Sequence, residues 1–138
     1  MIAPSIRKIL TTTSAAYSLV DDRVYIGNAP QDERRKRVII NTLSRSYPHT
    51  HDGDAGYRTA DIQLACLAES YQAANEMAEA IRKVVDGYEG SGVTAQVDVL
   101  HIEVESADEI ERAPFEGRSE PTYGVALQCR CIWEEHGI

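Results

Sequence analysis

The sequence of 138 residues predicts an α+β fold: a mainly antiparallel sheet of about four to five strands, with two helices packed on one face, in the order α-β-β-β-α-β-β. Three observations predict it. Ala60, Ile62, Leu64, Cys66 and Ala68 recur at every second position, and so do Tyr123, Val125, Leu127, Cys129, Cys131 and Trp133; this is the period of half-buried strands. Tyr71, Ala74, Ala78, Ile81, Val85 and Tyr88 recur at spacings of three and four, which draws one apolar stripe along a helix of about 27 Å. The strands come in runs instead of alternating one for one with helices. The long helix can cross over between strands, so a mixed sheet is also open. One domain, residues 1–138, accounts for the length, with no repeat, low-complexity segment or linker.

Ile2, Ile6, Ile9 and Leu10 share a helical face and Pro4 fits a first turn, which predicts a short helix over about residues 3–13. The hydroxyl-rich Thr11–Ser14 should end it. Ala15–Val20 carries no decisive signal. Arg23–Ile26 reads as a short strand, stopped by Gly27-Asn28-Ala29-Pro30. Gln31–Arg37 is a polar loop containing Arg34-Arg35-Lys36-Arg37. Such a run suits a nucleic-acid contact. It equally suits a solvated loop or a patch for an acidic protein surface. Val38–Ser46 is the next strand; aliphatics on both of its sides place it centrally or under cover on both faces. Tyr47–Tyr57 reads as a loop too long for a tight hairpin turn, a length that usually signals function or mobility.

The strand Arg58–Ala68 runs through Ser70, a good N-cap, into the long helix. Asn75, Glu76, Glu79, Arg82, Lys83 and Asp86 lie off its apolar stripe, and Gly87, Gly90 and Gly92 end it. In Val93–Glu105 the apolar parity switches between Val99 and Leu100, which predicts a bulge or bend there. Glu103, Glu105, Asp108, Glu109 and Glu111 then form an acidic run into a second long loop, Ser106–Pro121, kept irregular by Pro114, Gly117 and Pro121. Phe115, the sole phenylalanine, either pins that loop to the core or is an exposed anchor for a partner. After the last strand, Glu134–Ile138 is a polar tail.

The net charge of −8, from 14 basic and 22 acidic residues, argues against duplex DNA as a tightly held partner. No apolar run reaches membrane-spanning length and no signal-peptide pattern opens the chain, so the expectation is a protein that folds in a cytoplasm without a membrane partner. The cysteines number three. Cys129 and Cys131 stand about 6.5–7 Å apart on one strand face, too far for an easy disulfide. They read with Cys66 as small core hydrophobes in a reducing compartment. A thiolate metal site would need a further ligand pair.

His49-x-His51-Asp52-x-Asp54 is the one metal-like cluster. Imidazoles and carboxylates suit Zn²⁺ or Mn²⁺, so one reading is a small metal-dependent hydrolase using His49, His51 and Asp54. The same letters also compose a polar, glycine-containing surface loop. Phosphate-loop, dinucleotide and nucleophile-elbow motifs do not occur. Asp21-Asp22 and Glu134-Glu135 split across opposite faces if extended, unlike a glycosidase dyad. His101 has no apparent nucleophile or base for a partner. Chemistry alone predicts no enzyme, no cofactor and no catalytic or metal-binding residue.

The succession Asp22-Arg23-Val24-Tyr25-Ile26-Gly27-Asn28-Ala29-Pro30-Gln31, an aliphatic strand, then Asp61–Cys66 running through Ser70–Ala74 into Ala80-Ile81-Arg82, resembles the tail-completion (tail terminator) family of long-tailed bacteriophages. So does the ending, where Glu111–Glu120 leads to Tyr123–Trp133. The likeness covers nearly the whole chain, and the order and spacing of the pieces carry it. One departure is Arg37, where relatives commonly have proline; the run Arg34–Arg37 is also unusual for the family.

The resemblance implies a structural virion protein. Six copies would form a ring on the head-proximal end of the tail tube, stop tube polymerisation and offer a surface to the head-completion protein. Genome DNA would pass through without specific binding. A neck or head-tail connector component of the same virion is the neighbouring reading. The two long loops are then the expected contacts with neighbouring copies or the tube. The residues that would make them are Tyr47, His49, His51, Asp52, Asp54 and Tyr57 in the first, and Glu109, Glu111, Arg112, Phe115, Glu116 and Arg118 in the second.

Overall fold

The computed structural model describes residues 2–27, 35–47, 49–50, 53–54, 56–94, 97–112 and 122–135. Two helices, α1 (Ala3–Thr12) and α2 (Ser14–Val20), precede the strands β1 (Val24–Ile26) and β2 (Arg37–Ser46). Two-residue strands β3 (His49–Thr50) and β4 (Gly53–Asp54) lead to β5 (Arg58–Ala68) and helix α3 (Tyr71–Val85). The chain ends in β6 (Gly90–Thr94), β7 (Val97–Arg112) and β8 (Thr122–Glu135). A six-stranded sheet has the order β1-β2-β5-β8-β7-β6, and β3-β4 is a separate two-stranded ribbon. Every neighbour in the main sheet is antiparallel except β1 and β2, which are parallel. The fold is thus the expected α+β class with a mixed sheet. It has one helix more than expected, and short strands lengthen the list.

The centre of the sheet is regular. β5 and β8 pair without a break from Arg58↔Trp133 to Ala68↔Tyr123. One parity of these strands is buried in the main core: Ile62, Leu64 and Cys66 with Leu127, Cys129, Cys131 and Trp133. The helices pack on this side: Ile6, Ile9 and Leu10 of α1, Ala16 and Val20 of α2, and Met77, Ala78, Ile81 and Val85 of α3 join the same cluster. The other parity forms a smaller buried cluster, Ile39, Ala65 and Leu67, on the opposite face. That explains why β2 carries aliphatics at consecutive positions.

Helix α3 starts as its sequence dictates: Ser70 Oγ accepts the Ala73 N–H at 3.2 Å. It stops at Val85, three residues before the end of the apolar stripe, and is about 22 Å long. Gly87 takes φ +75°, a conformation that strains any residue with a Cβ. This turns the chain onto β7, where Gly87 N–H donates to Ile102 O and Ile102 N–H to Tyr88 O. Gly90 therefore opens β6 instead of ending a helix. At the other end of the chain, Thr13 is extended and separates α1 from α2. Its carbonyl accepts the N–H groups of Ala16 and Tyr17, so the hydroxyl-rich stretch ends one helix and starts the next.

Register shifts fall at Val99/His101 and Val104/Ser106 in β7 and at Thr42/Ser44 in β2. The first leaves Leu100 as the extra residue, at the parity switch that the sequence marks. Three expectations need correction. Ser106–Pro121 does not begin as a loop: β7 continues through Ser106 to Arg112, paired with β8 from Gln128 to Thr122. Its acids gave no alternating pattern because residues 105–109 are exposed on both faces. Tyr47–Tyr57 is not wholly irregular either, since it contains the β3-β4 ribbon. Glu134 and Glu135 extend β8 and are not part of a tail.

Candidate functional site

The two stretches expected to make contacts lie at opposite ends of the sheet. The β2–β5 connection leaves from Ser46 and Arg58, beside Trp133 of β8. The β7–β8 connection leaves from Arg112 and returns at Thr122, beside Ala68 of β5. The structure therefore does not unite them in one site; it places one at each end of the strands.

In the first region Tyr47 and Tyr57 are exposed, and the Arg58 guanidinium lies 5.2 Å from the centre of the Tyr47 ring. That is cation–π distance, and it orients the tyrosine at the rim. His49 and Asp54 face each other in the register of the β3-β4 ribbon. His51 and Asp52 lie outside the described residues. In the second region Glu109 accepts a hydrogen bond of 2.5 Å from the hydroxyl of Tyr71, the first residue of α3. The carboxylate raises the Tyr71 phenol above its usual pKa, chiefly through that hydrogen bond and then through its charge. Glu111 and Arg112 pair with Tyr123 and Thr122. Phe115, Glu116 and Arg118 lie outside the described residues.

Sequence reasoning missed Tyr71 as a surface residue. It belongs to the apolar stripe by spacing, yet it is 55% exposed. Its place directly after the N-cap is the available signal, because a first-turn side chain overhangs the end of the sheet. The basic run is also redistributed. Arg37 is buried at the start of β2 and donates to Arg35 O at 3.1 Å, while Lys36 O accepts from Arg23 Nε at 2.9 Å. These residues help build the β1–β2 crossover, and Arg34 lies outside the described residues.

The sheet edges complete the geometry. β1 covers β2 only along Val38–Ile40. Beyond it, Thr42–Ser46 has β5 on one side and no strand on the other among the described residues. At the far edge β6 and the Gly87–Tyr88 turn cover β7 as far as Ile102, and Asp86 Oδ1 accepts the Val104 N–H at 3.0 Å. From Ser106 to Arg112, β7 has β8 alone among the described residues.

Groups suited to catalysis do not converge among the described residues. Cys66, Cys129 and Cys131 are free and buried. Burial raises all three thiols, Cys129 to about 12, so none supplies a thiolate near neutral pH. Among the described residues no three His, Cys, Asp or Glu side chains are placed to hold a metal. His101 Nδ1 stands 4.0 Å from an exposed Glu89 carboxylate. An open groove of about 610 Å³ between α2 and α3 is lined by Ala15, Ala80 and Val84 together with the polar Asn75, Glu76, Glu79 and Lys83. Glu79 is already paired with Arg82, which holds its carboxyl below the usual range.

No protein-family model and no curated protein matches the chain. Solved structures do match it in fold. One is a chain described as "Virion of native gene transfer agent (GTA) particle", with a TM-score of 0.67 and 12% sequence identity, over 96% of this chain and 94% of that one. At that identity the likeness is one of fold alone, and it extends over nearly the whole of both chains.

Proposed function

We propose that this protein is a structural component of a phage-like virion. Copies of it form a ring, of six subunits, on the head-proximal end of the tail tube. The ring ends tube polymerisation and carries the surface to which the head-completion or connector protein joins. The observation that carries this reading is the end-to-end fold likeness to a chain of a gene transfer agent virion. It coincides with the residue-level resemblance of Asp22–Gln31, Asp61–Ala74 and Tyr123–Trp133 to the tail-terminator family.

The placement of the loops supports the reading. A ring that joins a tube to a head needs a contact region on each axial side, and the two connecting stretches leave opposite ends of the strands. A heterologous, head-to-tail contact closes such a ring. The net charge of −8 suits a protein past which DNA slides without sticking. The protein is no enzyme on this reading and takes no cofactor. Its place is the virion, after assembly in the host cytoplasm.

The test is a deletion of the gene from the producing particle, with electron microscopy of the tails. Tails that overrun their normal length and fail to join filled heads are expected. Normal tails that still mate with heads overturn the proposal. A map that seats the protein above the tube's end, in the neck, would reassign it to the adjacent connector. Equilibrium dialysis with Zn²⁺ or Mn²⁺ checks the competing hydrolase: stoichiometric binding lost in a His49→Ala/His51→Ala variant, together with turnover of any substrate, would replace the structural role.

A further inference from the structure

The two edges of the sheet left bare among the described residues are complementary, and we infer that copies of this chain join by strand addition: the outer edge of β7 in one copy pairs with the outer edge of β2 in the next. The inference rests on the ring-forming reading above and specifies its contact. Backbone direction comes first. β8 pairs one for one with β5 and carries no bulge. Ile102, opposite Cys131, turns both its N–H and its C=O away from β8. Alternation along β8 then assigns the same outward direction to Ala107, Glu109 and Glu111, opposite Leu127, Val125 and Tyr123. On β2, Val38 and Ile40 turn outward to Arg23 and Gly27, and alternation assigns Thr42 and Arg45 the same direction. Each edge thus presents a short row of donors and acceptors, which is a template for another strand.

Charge decides which strand. From Glu103 to Glu111 the chain has acids and no basic residue, so two β7 edges repel. From Arg34 to Ser46 it has basic residues and no acid. Arg45 stands opposite Ala60 and Glu109 opposite Val125, and both partners point into the helix-side core, so Arg45 and Glu109 emerge on the same face of a joined sheet. Apolar surface accompanies them. Leu43 is 57% exposed at the β2 bulge and Tyr71 overhangs β7. An aromatic and an aliphatic group inside a charged rim is the usual anatomy of a protein contact.

The geometry closes. β2 and β7 run antiparallel within one copy, so rotation about an axis near the strand direction brings them together antiparallel. The bare stretches are staggered. Arg45 is level with Cys131 and Ile102, whereas Glu109 is level with Val125, a step of about 20 Å along β8. Four strands per copy, β2, β5, β8 and β7, span about 19 Å. A stagger and a width of those sizes correspond to a strand tilt of about 47°, close to the upper end of the range of closed β-barrels.

The test is the association state of the purified full chain, followed by sedimentation velocity over a range of concentrations. Ala107→Pro removes only an outward N–H and leaves the β8 ladder intact, so the subunit should keep its fold by circular dichroism and lose association at least tenfold. Arg45→Glu and Glu109→Arg should each weaken association to a similar degree, and the double variant should recover most of it. A wild type that forms rings alongside an Ala107→Pro variant that forms them equally well overturns strand addition and leaves the virion role standing. A double charge variant no better than the single ones also overturns it. A wild type that stays monomeric at every concentration removes the pairing too, while the particle map described above judges the role separately.

Discussion

From Val97 to Val104, β7 has β8 on one side and β6, the Gly87–Tyr88 turn and the Asp86 carboxylate on the other. From Ser106 to Arg112 it has β8 alone among the described residues. The first half sends Val97, Val99 and Ile102 into the core. The second half exposes Ser106, Ala107, Asp108 and Glu109. One ladder is enough to hold a chain extended, but apolar cover is what makes the extended chain stable. A strand that keeps its shape without cover is available to something else, and acidic residues keep it from pairing with its own kind.

Hydrogen exchange should separate the two halves by the largest margin. In the monomer, the Ile102 amide should exchange about a thousandfold or more slowly than those of Ala107 and Glu109, because its N–H is bonded to Tyr88 O and theirs have no backbone partner among the described residues. Assembly should slow Ala107 and Glu109 and leave Ile102 unchanged. Equal exchange across β7 in the monomer would abolish the distinction. Mutation should follow the same line. Ile102→Ala deletes a side chain that is 1% exposed and should cost about 2–5 kcal/mol in urea unfolding. Asp108→Ala, on the bare half, should stay within about 0.5 kcal/mol.

The boundary between the halves has its own residue. Asp86, just past the end of α3, bonds the Val104 N–H, the last outward amide of β7 with a partner among the described residues. Asp86→Ala should cost about 1 kcal/mol and let exchange creep down β7 as far as Val104. Ser70→Ala removes the cap at the other end of α3 and should also cost about 1 kcal/mol, without altering exchange at Val104.

How much of this the sequence discloses follows from cover as well. Strands β5 and β8 and helix α3 bury one face each, so their periods of two and of three to four are plain in the letters. The bulge at Leu100 is legible because both flanks of it are half-buried. The distal half of β7 is illegible because a strand exposed on both faces imposes no alternation. Helix α2 is illegible because seven residues with only Ala16 and Val20 buried make no stripe. The bare edges depend on sheet order, which no local pattern contains. The tyrosines at 47 and 57 are where a polar loop would put them, exposed at one end of the strands. The contact between Tyr71 and Glu109 joins residues 38 apart, and only the folded sheet brings them together.

That contact ties the bare half of β7 to the start of α3, and it can be titrated. The Glu109 carboxylate accepts the Tyr71 hydroxyl and so favours the protonated phenol, raising its pKa. A raised folded-state pKa means that the hydrogen bond contributes fully while the phenol of the unfolded chain, near pH 10, is still protonated. The contribution is lost as pH climbs through the higher folded value. Both groups are exposed, so the change in global stability should be small. The local change should be visible: above pH 10 the exchange or fluorescence signature of a docked distal β7 should weaken in the wild type. Tyr71→Phe should show the weakened signature already at neutral pH, with no further alkaline step. A wild type and a Tyr71→Phe variant with superimposable alkaline profiles would mean that the phenol does not hold the strand, and that β8 alone keeps the bare half in place.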